Sequence, residues 1–178
     1  MSAVVDSPLM NFSGCHDGIL KQLTQLAALP ALSASATDLS AVQASAKQLI
    51  KFYHDVILKH HQEEEQELFI AVSTALHPDP QDLADAKVQI TRLTQEHRQI
   101  EAAWRELEPD LKRLAKGKLV QLDSAKVANL VEVYSNHALF EEAVFLPLSA
   151  RLLDKNGMAA LGMSLHMRQH TAFTPAYI

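Results

Sequence analysis

At 178 residues and 19.7 kDa the chain has the length of one domain, which would bury roughly 70% of the surface its unfolded form exposes. Hydrophobic residues make up 48% of it, glycine and proline are sparse at 5 and 7, and Ala, Leu, Gln, Glu and Lys dominate, which is a helical composition with no competing strand pattern. The net charge of -5, with lysine and arginine spread out, excludes the basic stripe that a nucleic-acid partner would need.

The chain opens on MSAVVDSPLMNF, which has neither a basic flank nor a long apolar run. No signal peptide or membrane span is therefore expected, and a cytoplasmic location is. The single cysteine, Cys15, excludes an intrachain disulfide and is ordinary for a reducing compartment.

Four segments then carry a 3.6-residue apolar period. The first runs from about Gly14 to Leu29 and should stop before Pro30. The second starts at an Asp38 or Ser40 cap and reaches about Leu76. The third opens near Asp82 and ends near Lys116, with Gly117 as a C-terminal stop. The fourth begins at Asp123 or Ser124 and runs to about Asp154. Pro109 and Pro147 lie inside the last two and should kink them. A short fifth helix is expected from about Met158 to Gln169. Short connections make antiparallel neighbours, so the expected architecture is all-α: a single domain over residues 1–178, an up-down-up-down four-helix bundle (core about 14–154) with a helical tail (155–178).

HHQEEEQELF, from His60 to Phe69, first reads as a solvated charged face. A repeat argues otherwise: a shift of 76 residues lays His61 over His137, Glu65 over Glu141 and Phe69 over Phe145. The His-x-x-x-Glu spacing recurs at His97 and Glu101 and at His60 and Glu64, where roughly 0.6 such pairs would arise at random. Residues four apart share one helix face, so each pair can aim an imidazole nitrogen and a carboxylate oxygen at one place.

Extrapolated as regular helices, the apolar stripes carry these groups into the core: Ile50, Ile57, His61, Glu65, Leu68 and Val72 on the second, Ile90, Leu93, His97, Glu101 and Trp104 on the third, and Leu130, Val133, His137, Glu141 and Leu148 on the fourth. A rise of about 1.5 Å per residue puts the three histidines roughly 22 to 26 Å from one end of the bundle, and His16 can reach the same level. Buried carboxylates require a compensating cation. Four histidines and three glutamates exceed a tetrahedral zinc site and suit two octahedral ions bridged by carboxylates, with iron favoured and manganese or zinc as substitutes. The expected ligands are His16 and His61 on one metal, His97, Glu101 and His137 on the other, and Glu65 and Glu141 as bridges, which leaves one position open on the first.

Other titratable groups read differently. His60 and Glu64 lie about 100° from the ligand stripe and are expected at an exposed or rim position. His54 shares the inward stripe two turns away and is expected as a satisfied core or outer-shell histidine. Cys15 and Trp104 are expected in packing, and His166 and His170 on the surface. Met158, Met163 and Met167 could cap the bundle or join two copies into a homodimer.

CHDGILKQLTQL, HHQEEEQELF, LTQEHRQIEAAW and YSNHALFEEAVFLPL resemble, in order, the four helices of the hemerythrin-like (HHE cation-binding) domain family, over about Cys15 to Leu153. The resemblance implies a non-haem di-iron centre, with His16, His61, Glu65, His97, His137 and Glu141 matching family ligands. Oxygen-carrying members place a second histidine one turn after the first on the third helix, where this chain has Glu101. An anionic oxygen there would favour ferric iron and argues against simple reversible oxygen carriage. The leading functional expectation is a module that binds or senses oxygen or nitric oxide. The alternatives are an enzyme reducing peroxide, oxygen or nitric oxide, and an iron store or donor.

Overall fold

A computed structural model describes residues 8–35, 39–76 and 78–171, with side chains as far as Arg168. The protein is all-α. Helix α1 spans Pro8–Ser35. Helix α2 is continuous through Ser40–Phe52, Tyr53–Ile57, Leu58–Glu63, Glu64–Leu68 and Phe69–Ser73. Helix α3 spans Pro80–Ala115. Helix α4 is continuous through Ser124–Phe140, Glu141–Phe145 and Leu146–Leu152, and α5 spans Lys155–Thr171. Three segments, Tyr53–Ile57, Glu64–Leu68 and Glu141–Phe145, are π-helical turns, which bond i to i+5 and so take up extra chain in one turn.

The sequence signals explain most of the helix ends. Asp79 caps α3 by accepting from the Gln81 and Asp82 amides, with Pro80 in the first turn, where the missing N–H costs nothing. Asp123 caps α4 in the same way through Ala125 and Lys126. Gly117 stands at φ 74°, and Gly117 and Lys118 donate back to the Leu114 and Arg113 carbonyls, the paired closure that a left-handed glycine permits. The expected Asp38 cap lies outside the described residues.

One proline expectation is corrected. Helix α1 runs through Pro30 to Ser35 because Leu29 and Ser33 remain on its buried face, so packing outweighs the lost ladder bond. Helix α3 passes Pro109 at an exposed position, where water can satisfy the released carbonyl. Pro147 lies inside the continuous α4, directly after its π turn.

Helix α1 packs on α2 and α4, and α3 packs on the same two. Two apolar clusters result. One contains Ile19, Leu23, Leu49, Ile57, Ile100, Trp104, Leu130 and Tyr134, and the other Phe12, Leu68, Phe69, Leu93, Phe145 and Leu148. Every one of the four long helices crosses from one cluster to the other, and between them each contributes buried titratable residues. The tail is a full helix. Leu161 and Leu165 of α5 are buried in the second cluster, Arg168 pairs with Glu67 at 2.9 Å, and Gly162 lets Pro8 approach, since a Cβ there would stand 3.1 Å from the proline ring.

Candidate metal centre

The layer between the clusters holds His16 from α1, His60, His61 and Glu64 from α2, His97 from α3, and His137 and Glu141 from α4, all buried. The shared depth expected from helix length is seen: ring centroids lie 4.0 Å apart for His61 and His97, 4.8 Å for His97 and His137, and 4.8 Å for His16 and His60.

His16, His61, His97, His137 and Glu141 are brought together as anticipated, but Glu65 and Glu101 do not point into the core. Their side chains are 22% and 23% exposed, and Arg98 grips both. The inward carboxylate of α2 is Glu64, wholly buried, and His60 stands beside it with Nε2 3.1 Å from Glu64 Oε1. The rim placement of His60 and Glu64 is therefore corrected. The inward placement of His54, expected as a core or outer-shell histidine, is corrected too: its side chain is nearly half exposed and bonds Glu108 at 2.6 Å, while its neighbour Tyr53 turns inward and stacks on the buried Trp104 with centroids 4.0 Å apart. The cause is the pair of π turns in α2. Each changes the angular step, so a stripe drawn on a regular helix drifts onto the neighbouring residue.

A better sequence signal was present. A shift of 77 residues, one more than first drawn, lays His60 over His137, Glu64 over Glu141 and Glu65 over Glu142. Both glutamate pairs begin a π turn. The apolar match of Phe69 with Phe145 favours the shorter shift and hides this one.

In each pair the first glutamate faces the centre and the second holds a histidine from another helix. Glu65 accepts from His97 Nδ1 at 2.8 Å and Glu142 from His16 Nδ1 at 2.7 Å. Glu96 accepts from His137 Nδ1 at 3.0 Å. A carboxylate can only accept, so each ring donates through Nδ1. Arg92 and Ser13 in turn hold Glu96 and Glu142, and the His137 and Arg92 contacts keep the Glu96 carboxyl below its ordinary range.

Facing inward, the Nε2 atoms of His16, His60, His97 and His137 and both oxygens of Glu64 and Glu141 are buried without a hydrogen-bond partner among the described residues. Several lie close, such as His16 Nε2 at 3.0 Å from Glu141 and His97 Nε2 at 3.2 Å from Glu64, but without hydrogen-bond geometry. So many converging acceptor atoms are costly unless something positive joins them.

Electrostatics agree. Burial and the Glu141 charge push the Glu64 carboxyl well up. Burial also opposes ionisation of Glu141, but the His16 imidazole 3.0 Å away and the charge of His137 outweigh it and hold that carboxyl down. Burial and charge thus push the two carboxyls apart, Glu64 toward its neutral form and Glu141 toward its ionised one. Burial would lower His16, yet Glu141, Glu64 and Glu142 together raise it to about 9. Burial lowers His60, His61 and His97. Cys15, half-buried, is pushed up to about 12 by burial and by Glu64 and Glu63, so it stays a thiol. His166 is exposed, and the His170 side chain lies outside the described residues.

Two groups of residues have donor atoms mutually within 4.8 Å and the chemistry to hold a cation: His16, His60, Glu64 and Glu141, and His97, His137, Glu64 and Glu141. Both contain the same two carboxylates. His61 forms a third group with His97 and His137. Imidazoles fixed through Nδ1 and paired carboxylates are the donor set of a first-row transition metal. No helix among the described residues is long and apolar enough to cross a membrane.

Residues 8–149 match the family model for the hemerythrin HHE cation binding domain. No match was found among curated proteins.

Proposed function

Since this chain belongs to the hemerythrin HHE cation-binding family, we propose that it holds two non-haem iron ions and binds or senses a small diatomic ligand, oxygen or nitric oxide. The carrying observation is that Glu64 and Glu141 belong to both four-residue groups, the arrangement that bridging carboxylates require. In this reading His16 and His60 complete one position and His97 and His137 the other. Glu64 takes the bridging role first expected of Glu65. The order in which the helices cross the two apolar clusters supports an up-down-up-down bundle around the site.

When bound, the metal pair supplies an electron-rich Lewis-acidic centre at which a diatomic ligand can be held. The protein's own part is to fix donors and exclude water. Glu65, Glu96 and Glu142 keep three imidazoles in the tautomer that offers Nε2, and the two apolar clusters close the layer above and below. A cavity of about 20 Å³ lined by Leu23, Ile57, Trp104, Leu130 and Tyr134 adjoins it, apolar enough to suit an uncharged gas.

Metal analysis and an optical spectrum of the aerobically purified protein test the reading. About two irons per chain, with a visible band that responds to oxygen or nitric oxide after reduction, would support it. One iron or none would reject it. Catalytic loss of added peroxide would favour an enzyme, and ready loss of iron to a mild chelator on reduction would favour a donor.

A further inference from the structure

We propose that Glu67 is a positioning residue for the cation pair: held by Ser164 and Arg168 of α5, it fixes the π turn that aims Glu64 inward, so that docking of α5 and occupancy of the centre strengthen each other. The proposal rests on the two-cation reading above and concerns a helix which that reading leaves without a role. Helix α5, Lys155–Thr171, lies wholly beyond the residues 8–149 that the family model matches.

Glu67 stands fourth in the π turn Glu64–Leu68. Its carboxylate accepts from Arg168 Nε at 2.9 Å and from Ser164 Oγ. A second guanidinium nitrogen of Arg168 donates to the side-chain oxygen of Gln66, the preceding residue of the same turn. Ser164 and Arg168 are four apart and so share one face of α5, while Leu161 and Leu165 seat that helix in the second apolar cluster. The Glu67 side chain is 14% exposed, so its charge-assisted bonds are made largely out of water, where they are strongest.

The π turn of α4 offers no such hold. The 77-residue correspondence that lays Glu64 over Glu141 also lays Gln66 over Ala143 and Glu67 over Val144. Neither of those side chains has a polar group to bind.

A π turn has poor intrinsic stability, and its conversion to an α turn would shift one flank against the other by about one residue, roughly 100° of rotation. Leu68 and Phe69 are fixed in the second cluster, so the flank that swings is the one carrying Glu64. The shared carboxylate would then leave the layer. Helix α5 holds the turn at Glu67, and a cation would hold it at Glu64. Two sites that bias one two-state element are coupled, and the coupling is reciprocal: whatever lifts α5 from Glu67 lowers cation affinity by the factor with which the cations tighten α5.

Hydrogen-deuterium exchange of the full chain, metal-free and loaded with iron(II) without oxygen, tests this together with the rate at which a chelator removes the iron. In wild type, iron(II) should slow exchange both in Glu64–Leu68 and along α5. Arg168→Ala, at a side chain 37% exposed where folding is not at stake, should release iron about 5-fold faster. It should also speed metal-free exchange at Glu64–Leu68 but not at Glu141–Phe145, and α5 should no longer respond to iron. Glu67→Ala should do the same. Arg151→Ala breaks the 2.9 Å ion pair with Asp82 without touching the turn, and should change none of these readings. A merely stabilising role for Glu67 predicts instead that all three variants speed exchange throughout the bundle and that α5 keeps its response to iron. If α5 exchanges alike with and without iron in a wild type that holds two irons, or if Arg168→Ala releases iron at the wild-type rate, the inference is overturned while the two-cation reading stands. Fewer than two irons in wild type would reject that reading itself, and the coupling with it.

Discussion

Glu142 on α4 accepts a hydrogen bond from His16 Nδ1 on α1 at 2.7 Å, and this contact determines which nitrogen of His16 faces the buried layer. Removing the acceptor should cost metal retention without unfolding the helix, because Glu142 is 38% exposed. Glu142→Gln is expected to lower metal affinity by ~10- to 100-fold with unchanged helical circular dichroism. Glu65→Gln should do the same through His97. Wild-type retention in both variants would show that the outer carboxylates do not orient the ligands.

Glu64 and Glu65 are adjacent, yet their substitutions should differ in kind. Glu64→Gln removes a shared inward donor and is expected to abolish tight binding of both metals. It also removes a carboxylate whose ionisation burial opposes, so the metal-free variant should melt no lower than metal-free wild type. Thermal melts of both forms with and without metal separate these effects. Equal metal loss in Glu64→Gln and Glu65→Gln would contradict the assignment of Glu64 as the bridge.

Metal that binds only the folded chain adds to its stability. At a free metal concentration 100 times the dissociation constant the gain is about 2.7 kcal/mol for one site. Chelation should therefore lower the melting temperature by several degrees, and readdition of metal should restore it. A metal-free form that melts as high as the loaded one would count against the cations as part of the fold.

The metal-free protein should be most stable near pH 6.5. Burial lowers His60, His61 and His97, His61 to about 3 from 6.5, so their contribution is present above pH 6.5 and is lost as pH falls below it, that of His61 through about 3, when the unfolded chain takes up protons the folded one refuses. His16 is raised from 6.5 to about 9. Its contribution is complete below pH 6.5 and is lost as pH rises through 9. A melting temperature of the chelated protein that climbs steadily from pH 6 to 9 would exclude this balance.

Much of this protein was decided by sequence alone. Asp79, Asp123 and Gly117 mark helix ends through their own local chemistry, the apolar period sets four long helices, and equal distances along them bring His16, His97 and His137 to one level. The His-x-x-x-Glu spacing announces a metal layer because a one-turn separation is a local property of any helix. What sequence left open was the choice between neighbours: His60 or His61, Glu64 or Glu65, His54 or Tyr53. Those differ by about 100° of rotation, and the π turns at Tyr53–Ile57 and Glu64–Leu68 shift the face by a comparable step. A π turn has poor intrinsic stability, so packing between helices decides where it forms: here it buries Tyr53 against Trp104 and Leu68 in the second cluster while turning Glu64 inward.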